Sequence, residues 1–171
     1  MLSFVVPALV AAFAGLLLTG AIKDLVSYTI PNWISLTIIG LFPVTALAAG
    51  LPLSTIGLHV GIGVAVLAAG MAMFALRWIG GGDAKMFAAA ALWMGWPAVM
   101  DFVLWTALTG GMLAMALMSL RTAAFRPMVM IGPRWLVKLS EPGGAAPYGV
   151  AIAAGALVAL PQSALMHGVG L

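Results

Sequence analysis

Long apolar runs, most of them the length of a bilayer-spanning helix, alternate along this chain with short polar breaks. A transmembrane helix needs about 20 mostly apolar residues. Runs of that kind fall at residues 3–22, 33–50, 55–76, 100–120 and 147–166, and a shorter one falls at 84–97. Pro31 and Asn32 precede the second run as a helix start would. Pro52 and Ser54 mark the turn into the third, and Pro97 divides the fourth from the fifth. The break before the fourth run is charged and rich in glycine: Arg77-Trp78-Ile79-Gly80-Gly81-Gly82-Asp83-Ala84-Lys85. Residues 121–146 carry three prolines together with Arg121, Arg126, Arg134, Lys138 and Glu141, which predicts a loop. The apolar runs are continuous rather than alternating, the mark of helices and not of barrel strands. The pattern therefore predicts an all-α integral membrane protein. It has six transmembrane helices in a single domain over 1–171, with a long loop between helices five and six.

Composition turns that pattern into a constraint. Of the 171 residues, 64% are hydrophobic and 6% are charged, against about 25% charged in an ordinary soluble domain. Charges this sparse cannot cover a water-exposed surface. The seven cations are scattered and form no basic stripe, so nucleic-acid binding is excluded. The absence of cysteine excludes a disulfide or Cys-zinc framework. With the N-terminus outside, Lys23, then Arg77 and Lys85, then Arg121, Arg126, Arg134 and Lys138 all fall in loops on one side. That is a positive-inside pattern, and it makes those loops cytoplasmic. It also counts the short fourth run as a span, because without it the cations scatter to both sides. The first run is followed, not preceded, by its cation, so it reads as a retained helix despite a signal-cleavage-like Ala12-Phe13-Ala14. Trp33, Trp78 and Trp96 lie near predicted span ends, as interfacial anchors do.

Each acid in such a chain needs a reason, since charge is costly in a bilayer. Of the four, Asp101 lies at the outer end of a span, Glu141 in the basic loop, and Asp24 and Asp83 at the cytoplasmic ends of spans. Asp24 and Asp83 thus share one face and one depth. Two carboxylates brought close together cannot both ionise easily, so one retains a proton. The ionised member can then activate water while the protonated one donates to a carbonyl under attack. That is aspartyl peptide hydrolysis, and it calls for no metal and no cofactor. A plainer reading stands beside it. Asp is a favoured helix cap, and Lys23 with Asp24 makes an ordinary interfacial charge pair.

Gly80-Gly81-Gly82-Asp83-Ala84-Lys85 resembles the GxGD-x-K motif of the type IV prepilin peptidases. Asp24 followed by Ile30-Pro31-Asn32-Trp33 is similar to that family's first aspartate and its Ile-Pro-Asn turn. Pro147-Tyr148-Gly149 is similar to the stretch that opens its last helix. The three fall in family order over nearly the whole chain. The resemblance implies that Asp24 and Asp83 are the catalytic pair. Gly80, Gly81, Gly82 and Lys85 then shape the second aspartate's loop, with Pro31, Asn32, Pro147, Tyr148 and Gly149 as supporting motif positions. It implies a multi-pass protein of the bacterial inner membrane. Its substrates are prepilins and pseudopilins with a short basic leader ending in Gly and then a hydrophobic helix, cut at the cytoplasmic face. Larger bifunctional members add a segment with zinc-binding cysteines, linked to methylation of the product. With no cysteine and no room between spans one and two, this chain resembles the short kind serving Flp or tight-adherence pili.

Two other readings belong to the same residues. One is a related GxGD protease acting on a preflagellin or another membrane substrate. The other is a small transporter or pilus-assembly scaffold with intramembrane acids, although no internal repeat is present. His59 is expected to lie far from the aspartates and outside any catalysis. Gly57 and Gly61 form a weak GxxxG helix-crossing motif. Gly80–Gly82 is no phosphate loop, since no Gly-Lys-Ser/Thr follows. The segment Arg134-Trp135-Leu136-Val137-Lys138-Leu139 reads as an interfacial stretch contacting anionic lipid.

Overall fold

A computed structural model describes residues 2–122, 137, 139–141, 144 and 146–167. The expected interfacial stretch 134–139 falls mostly outside these residues, as do the side chains of Arg126, Arg134 and Lys138. Among the described residues the longer elements are all helical: α1 (Leu2–Ser27), α2 (Asn32–Ala48), α3 (Leu53–Ala75), α4 (Gly81–Met94), α5 (Ala98–Leu120) and α6 (Tyr148–Ala159). A 3₁₀ turn, Leu160–Gln162, and a short α7, Ala164–His167, follow. Phe4–Ser27, Leu53–Ala75 and Ala98–Leu120 are long and apolar enough to cross a membrane by length and composition, while α2 and Tyr148–Gln162 are shorter apolar segments.

The boundaries differ from the hydropathy pattern in instructive places. The apolar run ends at Ile22, yet α1 continues to Ser27 and carries Lys23 and Asp24 on its last turns. The helix ends only where Tyr28 adopts a left-handed φ of 54°. At the other site, α4 starts at Gly81, so Asp83 lies in its first turn rather than in a loop. The expected sixth span is interrupted after Ala159, where Pro161 enters a 3₁₀ turn because its ring cannot continue an α-helical ladder.

Helix α4 is the hub of the bundle, packing against α2, α3, α5 and α6. Its 14 residues span only about 21 Å, and Ala88 to Met94 are all buried. The run of four alanines at 88–91 lets neighbouring backbones approach closely, which is how helices associate where no hydrophobic drive separates protein from solvent. A helix that stops inside a bundle leaves its last carbonyls without partners. Here His59 Nδ1 bonds Leu92 O at 2.8 Å and the Ser163 hydroxyl donates to Trp93 O at 2.6 Å. His59 therefore ties α3 to the buried end of α4, which accounts for its complete burial without a chemical role. Trp93 donates its indole N–H to Ile38 O at 2.8 Å and stacks on Phe13 at 4.2 Å, joining α4 to α2 and α1. By contrast, α3 and α5 turn many large apolar side chains outward, Val64, Leu104, Met112 and Met118 among them. Apolar surface on this scale marks an environment other than water.

The connection after α4 depends on Gly95, at φ 64° and ψ −168°. That region is open essentially to glycine alone and costs other residues about 1–3 kcal/mol. A Cβ there would also overlap the His59 ring. Gly95→Ala is therefore expected to destabilise the bundle by about 3 kcal/mol, read as a lowered thermal midpoint of the helical signal in detergent.

Candidate active site

Both expected aspartates lie at the same end of the bundle. Asp24 and Asp83 line one cavity of about 200 Å³ together with Tyr28, Thr29, Ile30 and Gly80 to Gly82. Asp24 is buried, which raises its carboxyl above the usual range, and its Oδ2 accepts the backbone N–H of Gly149 at 2.7 Å, which opposes that rise. Gly149 is the second residue of α6, so this N–H is one of the donors a helix start leaves free. A carboxylate near the C-terminus of its own helix is disfavoured by the helix dipole; one at the N-terminus of another is favoured. Asp24 sits in both positions, and the hydrogen bond to α6 offsets the first.

A side chain at position 149 would have to push its neighbours aside. A Cβ there would stand 3.0 Å from the Asp24 carboxylate and 3.1 Å from Ile30. Gly82 plays the matching part on the other side, where a Cβ would meet Ile30 at 3.1 Å. The Ile-Pro-Asn segment is thus held between two glycine backbones. Pro31 precedes α2 as its N-cap, and Pro147 does the same for α6.

Asp83 is the third residue of α4 after the Gly80 cap, and its carboxylate accepts a hydrogen bond from the Gly80 backbone. This is half of a capping box, with the acid reaching back to the cap N–H. The plainer structural roles are therefore real: each aspartate serves a helix start, Asp83 its own and Asp24 that of α6. They do not explain why two acids share one cavity. Burial, and then the negative charge of Asp24, push Asp83 up to about 6, with the Gly80 bond opposing. Across mildly acidic to neutral pH the cavity can thus hold one proton between two carboxyl groups.

The remaining motif residues divide. Lys85 donates to Asn32 Oδ1 at 3.0 Å, which joins the start of α4 to the start of α2 beside the cavity rather than within it. The Tyr148 ring leans on Gly110 of α5 and does not line the cavity. Tyr28, which lines the cavity, and Arg121, whose charge acts on Tyr28, stand in no sequence motif. The Tyr28 phenol is raised by burial, by Glu141 and by Asp24, with Arg121 opposing, so it remains a neutral donor. Arg121 donates from Nε to Leu139 O at 3.1 Å and from Nη2 to Gly144 O at 2.8 Å. It clamps the end of α5 to the segment leading into α6. The chain has two tyrosines, Tyr148 inside a motif and Tyr28 two residues before one; that placement is the sequence signal that could have marked Tyr28.

Among the described residues no group of three or more His, Cys, Asp or Glu side chains is placed to hold a metal ion. A helical bundle with a two-carboxylate cavity at one end has the parts of a hydrolase embedded among apolar helices. The model of the type IV leader peptidase family matches residues 11–115, more than half of the chain, and the chain belongs to that family. It is thus a peptidase of the kind that processes type IV leaders. Neither the curated proteins nor the solved structures searched contain a match. The matched range includes Asp24 and Asp83 but stops short of Pro147-Tyr148-Gly149, which geometry alone ties to Asp24.

A raised Asp83 has a thermodynamic consequence. Its folded value, about 6, lies above the ordinary 3.8. The stability it contributes is complete below about 3.8 and is lost as pH rises through 6. Asp83→Asn removes that dependence. The variant is expected to gain thermal midpoint relative to the parent between pH 4 and pH 7.5, and parallel midpoints would refute the shift.

Proposed function

We propose that this protein is an aspartic endopeptidase with Asp24 and Asp83 as its catalytic pair. It removes the basic leader from type IV prepilins of the Flp kind, and from pseudopilins, at the cytoplasmic face of the bacterial inner membrane. The single observation that carries this reading is the cavity shared by two aspartates, one on the last turns of α1 ahead of Ile-Pro-Asn and the other in Gly-Gly-Gly-Asp. The chain crosses the membrane six times with the N-terminus outside, α4 being the short fourth crossing inside the bundle. The one-sided distribution of Lys and Arg supports that orientation.

In the reaction, the ionised aspartate takes a proton from a water molecule in the cavity. The water oxygen bonds to the scissile carbonyl carbon, and the protonated aspartate donates to the carbonyl oxygen as it becomes tetrahedral. Collapse of that intermediate breaks the C–N bond, with a proton passing to the leaving amine and the pair returning to its one-proton state. The two macroscopic titrations belong to the pair, so neither role is assigned to one residue. Gly149 N–H holds the Asp24 carboxylate in place, and the neutral Tyr28 phenol borders the cavity.

Asn retains the oxygen that accepts from Gly149 or Gly80 but cannot carry the proton. Asp24→Asn and Asp83→Asn are each expected to lower leader cleavage by at least about 10³-fold, with membrane accumulation and helicity unchanged. The assay uses purified protein and a prepilin with a basic leader, and cleavage is scored after the leader Gly. Near-normal cleavage by either variant overturns the mechanism. A preflagellin cut in preference to the prepilin redirects the substrate assignment.

A further inference from the structure

The end of α5 is tied back into the molecule by a single side chain. Arg121 follows the last residue of α5, and its guanidinium reaches the chain that returns toward α6. Nε donates to Leu139 O at 3.1 Å and Nη2 to Gly144 O at 2.8 Å. Leu139 and Ser140, where the first bond lands, are buried. The chain then turns, with Gly144 N–H donating to Glu141 O at 3.2 Å, and enters α6 through the buried Pro147. Two residues on, Gly149 N–H meets Asp24 Oδ2 at 2.7 Å. The peptide steps from Gly144 to Gly149 span at most about 18 Å, so the held carbonyl of Gly144 limits where that donor can stand. The same guanidinium acts on a wall of the two-aspartate cavity: burial raises the Tyr28 phenol, and the Arg121 charge lowers it. Arg121 thus approaches Asp24 from two directions, through the strap that carries its donor and beside the ring that borders it.

We propose that Arg121 is a positioning residue of the peptidase: it holds the strap at Leu139 and Gly144 so that the Gly149 N–H stands on Asp24 and keeps that carboxyl group in its working place. The catalytic consequence rests on the peptidase reading above; the clamp itself does not. The fork, and not the charge, carries the effect. A guanidinium is planar and aims its donors in fixed directions, so one side chain can hold two carbonyls of a turning segment. An ammonium is a compact charge on a flexible stem. Once the clamp is released, the ionised Asp24 loses the hydrogen bond that favours it while remaining buried. Its proton is then kept to higher pH, and the one-proton state of the pair begins later as pH rises. The other groups that bear on this titration, among the described residues, are Asp83 on α4, Tyr28 after α1 and Glu141 on the strap. Lys23, next to Asp24, is exposed, and Lys85 is engaged by Asn32. None of these changes its charge when Arg121 is exchanged for another cation.

The test reads Asp24 directly, in the full chain in nanodiscs. The aspartates of the chain are Asp24, Asp83 and Asp101, so isotope-labelled aspartate gives one carboxyl-carbon NMR signal for each, assigned by its Asn variant. Arg121→Lys keeps the charge and loses the fork, and Arg121→Gln loses both. Citrulline in place of Arg121 keeps a planar fork of N–H donors and loses the charge. Arg121→Lys and Arg121→Gln are each expected to raise the Asp24 midpoint by about one pH unit, while citrulline leaves it as in the parent. The Asp101 midpoint is the internal control and stays in place. Cleavage of a prepilin with a basic leader gives the second readout. In Arg121→Lys the acid limb of kcat/KM moves to higher pH by the same amount, with KM at the optimum unchanged. Arg77→Gln, which removes an exposed cation beyond α3, leaves both readouts as in the parent. An Asp24 midpoint unmoved in the variants that lose the fork, or moved as far by citrulline, overturns the proposal. A shifted midpoint without cleavage by the parent protein upholds the clamp and removes the peptidase reading. Cleavage with an unshifted midpoint removes the clamp and leaves the peptidase reading standing.

Discussion

The hydrogen bond from Gly149 N–H to Asp24, 2.7 Å long between residues 125 positions apart, organises this molecule's polar end. It joins the end of the first long helix to the start of α6. Without it, a buried carboxylate would sit unpaired near the negative end of its own helix, and burying such a group is among the costliest things a fold can do. With it, α1 and α6 are fixed in register and Ile30 is trapped between the backbones of Gly82 and Gly149. The cavity is what remains once those close approaches have been made. Among the described residues its lining is Asp24, Tyr28, Thr29, Ile30 and the Gly80–Asp83 start of α4.

The interior obeys a rule that differs from that of a water-soluble core. Large side chains point out in α3 and α5, while α4 and α6 bury alanine and glycine. Close backbone contact stands beside the packing of large side chains such as Phe13, Ile38, Met94 and Phe102, as expected where the surrounding solvent is itself apolar. Some of the buried groups also act as fasteners. Trp93 reaches α2 by a hydrogen bond and α1 by stacking, and a stacked aromatic pair adds about 0.5–1.5 kcal/mol beyond burial. His59 and Ser163 occupy the carbonyls that a short buried helix must leave open. The brevity of α4 is thus coupled to polar residues that look idle in the sequence.

How much of this was legible in the residues depends on the kind of signal. Apolar runs located every long helix, since hydropathy reports directly on membrane length. They placed the end of α1 five residues early, because Lys23 and Asp24 look like a boundary although a helix carries charge readily once its tip leaves the apolar zone. The aspartates stood out through scarcity, two acids on one predicted face among four in the chain. Depth and motif put them on one face, and both side chains line one cavity. The function of Gly149 as a donor to Asp24 was not legible, because a backbone N–H leaves no trace in sequence beyond the glycine that exposes it. Arg121 was legible only as a loop cation. Its bonds to Leu139 O and Gly144 O depend on a chain return that no periodicity encodes.

The structural and chemical demands on the two aspartates pull in different directions, and the bundle reconciles them by dividing acceptors. A capping role needs a carboxyl oxygen with a fixed donor; proton exchange needs one that is free. Asp24 gives Oδ2 to Gly149, and Asp83 accepts from Gly80 in the first turn of α4. Each carboxyl group has two oxygens, so each can hold its helix start and still present a second oxygen toward the cavity. That arrangement also explains why the backbone, rather than a cationic side chain, supplies the hydrogen bonds. An arginine or lysine in contact would stabilise both carboxylates in their ionised form and dismiss the shared proton. Lys85, two residues from Asp83, is instead engaged by Asn32, which holds the cation of α4 beside the cavity rather than against the carboxyl groups.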